Sequence, residues 1–132
     1  PILDLNGIEG DVVIDGPGGE IRLTPFEVRH GNIDSLGFRI GDLAYLPDVS
    51  DIPDAAWPLL EGLDCWILDA LRRTPHPSHA HLEKSLEWIA RAQPRRAVLT
   101  NMHIDLDYAT VAAETPEHIT PAHDGMTLSF EV

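Results

Sequence analysis

The stretch Leu43-Ala44-Tyr45-Leu46-Pro47-Asp48 is an apolar run that ends in a single carboxylate. An apolar run of this length, bounded by Gly41 and Pro47, predicts a buried strand. A carboxylate at the tip of such a strand is firmly held and poorly solvated, which suits a metal ligand or a general base. Because Asp is also a common turn residue, the stretch alone leaves it equally open that Asp48 caps the turn that follows.

The residues up to Asp48 predict a β-meander. Its predicted strands cover residues 11–15, 20–30, 35–40 and 43–46. A glycine-rich turn joins the first pair of strands, and Gly41-Asp42 joins the last pair. Strands joined by short turns alternate in direction, so the strands that end at His30 and before Asp48 leave the sheet at the same end. We therefore expect His30 and Asp48 to share one rim of the sheet.

After Asp48 the pattern changes to β/α alternation, which makes the predicted fold class α/β. Helices are predicted over residues 53–61, 79–93 and 107–114, with Ser78 as the N-cap of the second helix. The predicted strands of this part cover residues 63–70, 97–99, 119–122 and 126–132. Residues 1–132 carry no internal repeat or linker, and we expect them to form a single domain.

Composition narrows the function classes. The formal charge of −13 disfavours a protein that coats nucleic acid, since it would repel the phosphate backbone. No apolar run approaches the length of a membrane span, and no membrane partner is expected. The single cysteine, Cys65, cannot form an internal disulfide. Nothing in the sequence requires an oxidising compartment, so the cytoplasm is the expected location.

Three residues with metal-binding side chains follow three different predicted strands: His30, Asp48 and His103. Strand ends at one edge of an α/β sheet line the ligand crevice, and imidazole and carboxylate together suit Zn, Mn or Fe. A histidine in a loop is more often simply solvated, and His118 and His123 are interpreted in that way. The joint placement of the other three residues predicts a metal site.

A second histidine cluster surrounds the predicted start of helix 79–93. A helix N-terminus carries positive potential and free N–H groups that attract phosphate, and neutral imidazoles there can position or protonate a leaving oxygen. His79 is therefore a catalytic candidate, and His76 and His81 are candidates for substrate binding. The alternative to a binding role is that the His81 side chain faces solvent. For His76, which lies between two prolines, the alternative is that it is only part of a stiff loop.

The order of these motifs resembles that of the second half of metallo-β-lactamase-fold hydrolases. The motifs are His30-Gly31, Tyr45-Leu46-x-Asp48, Pro75-His76-Pro77-Ser78-His79 and Leu99-Thr100-x-Met102-His103-x-Asp105. Among these hydrolases the chain is most similar to the cyclic phosphodiesterases of phosphonate breakdown, which open phosphoribosyl 1,2-cyclic phosphate. The resemblance runs from about Phe26 to the C-terminus.

The resemblance implies an αββα sandwich that holds two divalent metal ions, Mn or Zn. It implies that His30 ligates one metal, that Asp48 bridges both metals and orients the attacking hydroxide, and that His79 is the catalytic histidine. The family's last ligand directly follows the strand that ends at Leu99-Thr100. That position is Asn101 here, so His103 is predicted to ligate the metal in its place.

The family's early motif, His-x-His-x-Asp-His, does not occur in this sequence. The chain therefore resembles the C-terminal half of the fold, without the N-terminal half that carries the metal motif. We expect this half alone to hold one metal ion or none. The sheet faces left uncovered predict either a homo-oligomer or association with the missing half.

The implied function is metal-dependent hydrolysis of a small phosphate ester by a metal-bound hydroxide. This activity is expected of the intact protein, whereas the half alone is expected to be inactive. Two alternatives remain open. One is a non-catalytic fragment or pairing module, and the other is a hydrolase of the same fold that cleaves a nucleotide diester, an RNA end or a thioester.

Overall fold

The computed structural model describes residues 2–131, which form one seven-stranded sheet with helices along it. The strands are β1 (Val12–Gly16), β2 (Gly19–His30), β3 (Ile33–Ile40), β4 (Leu43–Leu46), β5 (Cys65–Asp69), β6 (Arg96–Thr100) and β7 (Ile119–Pro121). A 3₁₀ helix covers Asp54–Leu60, and two α-helices follow, α1 (Leu82–Ala92) and α2 (Tyr108–Glu114). The predicted meander followed by β/α alternation is confirmed.

The strands lie in the sheet in the same order as in the chain. Strands β1 to β4 pair antiparallel through tight turns, and β4 to β7 pair parallel because a crossover segment separates each pair. The ends of β2, β4, β5, β6 and β7 therefore meet at one edge of the sheet. The polar side chains that follow these strands gather there.

One face of the sheet forms the core. Ala44, Trp66 and Ala97 are register partners on this face, and all three are almost fully buried. The ring of Trp57, from the 3₁₀ helix, packs edge-on against Trp66 with 6.4 Å between ring centroids. Helix α1 adds a buried stripe that includes Trp88 and Ile89. This packing holds β4, β5 and β6 in fixed register, which fixes where their ends lie.

The other face of the sheet is less covered. Phe38, Tyr45 and Ile67 are register partners on this face. Phe38 and Ile67 are half-buried, and 43% of Tyr45 is exposed. The C-terminal segment covers one corner of the face, where the ring of Phe130 lies 4.7 Å from the guanidinium carbon of Arg96.

Two secondary-structure predictions are corrected by the structure. The second helix begins at Leu82 with His81 as its N-cap, so Ser78 is not the cap. Residues 78–81 are held by backbone pairing instead: Leu71 N–H donates to the carbonyl of Ala80, and Leu82 N–H donates to the carbonyl of Arg72. This pairing satisfies backbone groups that a longer helix would have used.

The short helix predicted at residues 53–61 is present as a 3₁₀ helix with Pro58 inside it. The other correction concerns residues 126–132. Residues 126–131 form no strand, and Val132 lies outside the described residues. No helix among residues 2–131 has both the length and the apolar character to cross a membrane.

Candidate metal centre

His30, Asp48 and His79 converge at the sheet edge where β2, β4 and β5 end. Each residue offers one ligand atom, and these three atoms all lie within 4.8 Å of one another. His30 is the last residue of β2, Asp48 follows β4, and His79 lies in the loop between β5 and α1. The structure therefore brings together three of the residues that the sequence selected.

His30 is fixed by a hydrogen bond from its ring to the backbone. Its Nδ1 atom lies 2.6 Å from the carbonyl oxygen of Ser78. Because a carbonyl only accepts, Nδ1 carries the hydrogen, and the neutral ring presents a free lone pair on Nε2. This is the tautomer in which metal-binding histidines are usually held by a backbone carbonyl.

Gly31 allows the loop that carries Ser78 to approach His30. Its φ angle is +68°, in the left-handed region that favours glycine. A Cβ atom at this position would lie 3.0 Å from the Cβ of Ser78. The His30-Gly31 pair in the sequence thus has a physical basis, since a side chain at position 31 would push away the acceptor of the His30 hydrogen bond.

Asp48 presents its carboxylate to the same space. The hydroxyl of Ser35 donates to the backbone carbonyl of Asp48 at 2.5 Å, which anchors the residue after β4. One carboxylate oxygen lies 3.9 Å from Nδ1 of His79. About half of the Asp48 side chain is exposed, so an ion approaching from solvent can reach it.

His79 is held by a buried carboxylate, Asp69, which the sequence analysis did not select. Nδ1 of His79 lies 2.8 Å from Oδ2 of Asp69, whose side chain is fully buried. Asp69 also accepts from the N–H of Val49 at 3.2 Å and from Nδ2 of Asn101 at 3.3 Å. Burial raises the pKa of Asp69, while the hydrogen bond from His79 works in the opposite direction. The ring of His79 is thereby held with Nε2 free.

Asp69 could have been found from the sequence. It ends the buried strand β5, as Asp48 follows the buried strand β4, so a firmly held carboxylate is expected there as well. The difference is burial: the Asp69 side chain is fully buried and reaches the centre through its hydrogen bond to His79. It is therefore a positioning residue for the imidazole.

His76 lies beside His79, with 5.3 Å between their ring centroids, and His79 in turn lies 4.6 Å from His30. Nδ1 of His76 accepts from the N–H of Ser78 at 3.2 Å, which leaves the hydrogen of the neutral ring on Nε2. Partial burial lowers the pKa of His76, and the nearby positive charge of Arg72 lowers it further by a smaller amount. His76 is therefore placed next to the centre as a neutral donor.

His81 and His103 are placed differently. His81 is the N-cap of α1, and its side chain makes no capping hydrogen bond. The side chain of His103 is 62% exposed, and its Nδ1 lies 3.4 Å from a carboxylate oxygen of Asp105. Neither residue belongs to the group formed by His30, Asp48 and His79. The metal role of His103 and the substrate role of His81 stay predictions.

Asn101, rather than His103, contacts the centre. It has a φ angle of +63°, and its Nδ2 donates to the carbonyl of Pro47 and to Oδ1 of Asp69, each at 3.3 Å. The same atom lies 3.4 Å from Nδ1 of His79. Because Nδ1 of His79 already carries the hydrogen given to Asp69, this last contact is a close approach between two donors.

The donor set fits one divalent transition-metal ion. Two imidazoles, each with Nδ1 engaged by an outer partner, and one carboxylate form a ligand set typical of Zn and also used by Mn and Fe. A site with two or three protein ligands leaves positions open for water or substrate, as in catalytic sites. No second group of this kind occurs among residues 2–131.

Comparison with known proteins identifies the family and the fold. A family model described as "Beta-lactamase superfamily domain" matches residues 2–104. A solved structure of a diphosphatase from the PhnP family superimposes with a TM-score of 0.88 and 35% sequence identity. That match covers 96% of this chain and 48% of the diphosphatase.

More distant structures share the fold. Zinc-bound PqqB from Methylobacterium extorquens superimposes with a TM-score of 0.66 and 20% identity, over 93% of this chain and 55% of that protein. The short form of human tRNase Z superimposes with a TM-score of 0.65 and 20% identity, over 85% of this chain and 43% of that protein.

A curated Porphyromonas gingivalis protein named octanoyltransferase is 27% identical over 129 residues, which is 96% of this chain and 26% of that protein. The chain thus spans about half of the matched diphosphatase and about a quarter of the curated relative. The family match covers well over half of the chain, so the resemblance noted in the sequence is confirmed: the chain belongs to the β-lactamase superfamily and has the metallo-β-lactamase fold.

Proposed function

We propose that this chain supplies one half of the active site of a metal-dependent hydrolase that cleaves phosphodiesters. Its substrate is a small cyclic phosphate ester such as phosphoribosyl 1,2-cyclic phosphate. The observation that carries the proposal is the convergence of His30, Asp48 and His79 at one sheet edge. Both imidazoles are fixed through Nδ1, which leaves Nε2 of each ring free of these partners.

In this proposal His30 and Asp48 would hold the divalent ion, Mn or Zn, and His79 is not a ligand. Asp48 would also serve a second ion in the intact enzyme. A bound divalent ion polarises phosphate oxygens and lowers the pKa of a water molecule beside them. The hydrogen bond to the carbonyl of Ser78 keeps the His30 ring in its ligating tautomer and orientation. The Ser35 hydroxyl fixes the backbone from which the Asp48 carboxylate projects.

His79 acts on the ester itself. Asp69 holds its Nδ1–H and stabilises the ring when Nε2 takes up a proton, so Nε2 can donate that proton to the leaving alkoxide. The full burial of the Asp69 side chain keeps water from competing for this hydrogen bond. His76, neutral and adjacent, can donate a hydrogen bond from Nε2 to a phosphate oxygen.

Phosphate is the favoured substrate class because three imidazoles gather in an otherwise acidic protein. Negative charge over the rest of the surface disfavours a long polyanion, whereas a small ester needs only local compensation. The likeness to a diphosphatase of the PhnP family at 35% identity supports a phosphoester substrate.

The proposal includes a partner polypeptide. The second face of the sheet exposes Tyr45 and half-exposes Phe38 and Ile67, and an apolar face of this kind favours association. The matched diphosphatase is about twice as long as this chain. We propose that a polypeptide segment that carries His-x-His-x-Asp-His covers this face and completes the ligand set; self-association is the other outcome.

The test is reconstitution. The purified chain is assayed with Mn²⁺ or Zn²⁺ against bis-p-nitrophenyl phosphate, alone and with a polypeptide that carries the missing motif. We expect little hydrolysis by the chain alone and restored hydrolysis by the mixture. A mixture that associates and binds metal but hydrolyses no phosphodiester would overturn the proposed function and leave a pairing module as the remaining role.

A further inference from the structure

A cavity of about 430 Å³ opens beside the metal centre, where β6 and β7 end. Its walls include Asn101, His103 and Ile104 from the loop after β6, and His123 and Asp124 from the loop after β7. A cavity of this size lies in the range of small-molecule sites. None of the roles assigned above to His30, Asp48 and His79 uses this space.

Asn101 connects the cavity to the centre. It lines the cavity, and its Nδ2 also lies 3.4 Å from Nδ1 of His79 and 3.3 Å from Oδ1 of Asp69. Asn101 therefore lies at the boundary between the two spaces. A ligand whose phosphate contacts the histidines can therefore extend past Asn101 into the cavity.

The cavity and the centre differ in their side chains. The centre gathers the imidazoles of His30, His76 and His79 and would hold a divalent ion, whereas Asp124 lines the cavity and Asp105 lies against His103. Carboxylates repel a phosphate group but accept hydrogen bonds from neutral hydroxyl groups. The cavity therefore suits an uncharged, hydroxyl-bearing part of a substrate.

The cavity also has ring-binding features. Nδ1 of His123 donates to the carbonyl of Asp124 at 3.0 Å, which leaves Nε2 of the neutral ring as an acceptor. The ring of Tyr108 stands edge-on to His123 with 5.7 Å between centroids, and it supports that ring from one side. Ile104, which is 90% exposed, offers apolar surface at the mouth.

We propose that this cavity is the subsite for the sugar of a phosphate-ester substrate, with His123 as its principal contact. The inference rests on the proposed phosphoesterase function. The sugar hydroxyls bond to Nε2 of His123 and to Asp124, the apolar side of the sugar ring packs on Ile104, and the phosphate stays with His76 and His79. His123 is then a specificity-determining residue rather than a solvated loop histidine.

The test measures binding and not turnover. The chain with one equivalent of Zn²⁺ is titrated at fixed pH with ribose 5-phosphate and, separately, with inorganic phosphate. Assigned histidine ring C–H resonances are followed by NMR. We expect both probes to shift His79, and only ribose 5-phosphate to shift His123. His123→Ala should lower the affinity for ribose 5-phosphate about tenfold, the loss typical of one or two hydrogen bonds. It should leave the affinity for inorganic phosphate unchanged.

His118→Ala is the matched control, since it removes another exposed histidine, one that does not line the cavity. It should change neither affinity. Absence of a ribose-specific shift at His123, or equal weakening of both probes by His123→Ala, overturns the subsite. Selective ribose 5-phosphate binding by a chain whose reconstituted form hydrolyses no ester would keep the subsite and remove the proposed function.

Discussion

His30 and His79 differ from His103 in how the protein holds them, although all three follow strands of one sheet. The rings of His30 and His79 are each fixed by a hydrogen bond at Nδ1, to the Ser78 carbonyl and to the Asp69 carboxylate. The ring of His103 is 62% exposed, and its Nδ1 lies 3.4 Å from a carboxylate oxygen of Asp105. A strand exit brings a histidine to the rim, but an outer partner fixes its ring for metal binding or proton transfer.

The largest expected effect comes from removing a member of the centre. Asp48→Ala should lower the affinity for Zn²⁺ by more than about 100-fold, since loss of a direct ligand exceeds the 10- to 100-fold cost of losing an outer partner. Isothermal titration of the chain with Zn²⁺ measures this. Asp51→Ala, an exposed carboxylate three residues on, is the control and should bind Zn²⁺ normally. Unchanged affinity in Asp48→Ala would remove Asp48 from the centre.

The next effect tests what fixes His79. Asp69→Asn keeps the shape of the side chain but replaces a carboxylate by an amide, so His79 loses its charged partner. We expect the hydrolytic rate of the reconstituted enzyme to fall about 10- to 100-fold. The nitrogen NMR shifts of the His79 ring should change from one tautomer to a mixture.

Asp64→Asn is the matched control for Asp69→Asn, because Asp64 precedes the same strand at the opposite end of the sheet and pairs with Arg95 at 2.6 Å. This change should leave the tautomer of His79 and the rate as they are. A fully active Asp69→Asn enzyme with an unaltered His79 tautomer would show that Asp69 serves only to fill the core.

The sequence predicts the placement of the centre well. Because strands joined by short turns alternate in direction, His30 and Asp48 are expected at one end of the sheet. In the structure a ligand atom of each lies within 4.8 Å of a ligand atom of His79. These predictions succeed because strand direction and period depend on local residue patterns. The roles of the individual residues in metal binding and catalysis stay predictions.

What the sequence does not predict depends on contacts between distant segments. The hydrogen bond between His30 and Ser78 joins residues 48 positions apart, and the start of α1 shifts to Leu82 because residues after β5 pair with residues 80–82. Asp69 and Asn101 gain their importance only when three loops meet. Periodicity within one segment carries no information on such contacts.

A smaller effect tests the support of His30. Gly31→Ala would put a side chain on a left-handed backbone, with its Cβ 3.0 Å from the Cβ of Ser78. It should therefore move the carbonyl that accepts the His30 hydrogen bond. Gly62→Ala imposes a similar φ of +65° but meets no atom within 4 Å. Each change should lower the free energy of unfolding by about 1–2 kcal/mol, the cost of a left-handed side-chain residue.

Zn²⁺ affinity separates the two glycine variants. The Zn²⁺ affinity of Gly31→Ala should fall by up to about tenfold, which is the lower limit of the cost of losing an outer partner. The Zn²⁺ affinity of Gly62→Ala should not change. Urea unfolding measures the free energy of unfolding, and isothermal titration measures the Zn²⁺ affinity. Equal Zn²⁺ affinity in the two variants would mean that the Ser78 carbonyl does not govern the His30 ring.

The smallest effect is expected at His103. His103→Ala removes an exposed ring that the structure places outside the group of His30, Asp48 and His79. We expect the Zn²⁺ affinity to fall by less than about tenfold, below the usual cost of losing an outer partner, whereas His30→Ala should cost far more. If His103→Ala is as damaging as His30→Ala, the loop after β6 must bring His103 to the metal. An outer partner at Nδ1 would then not be what distinguishes a ligand in this protein.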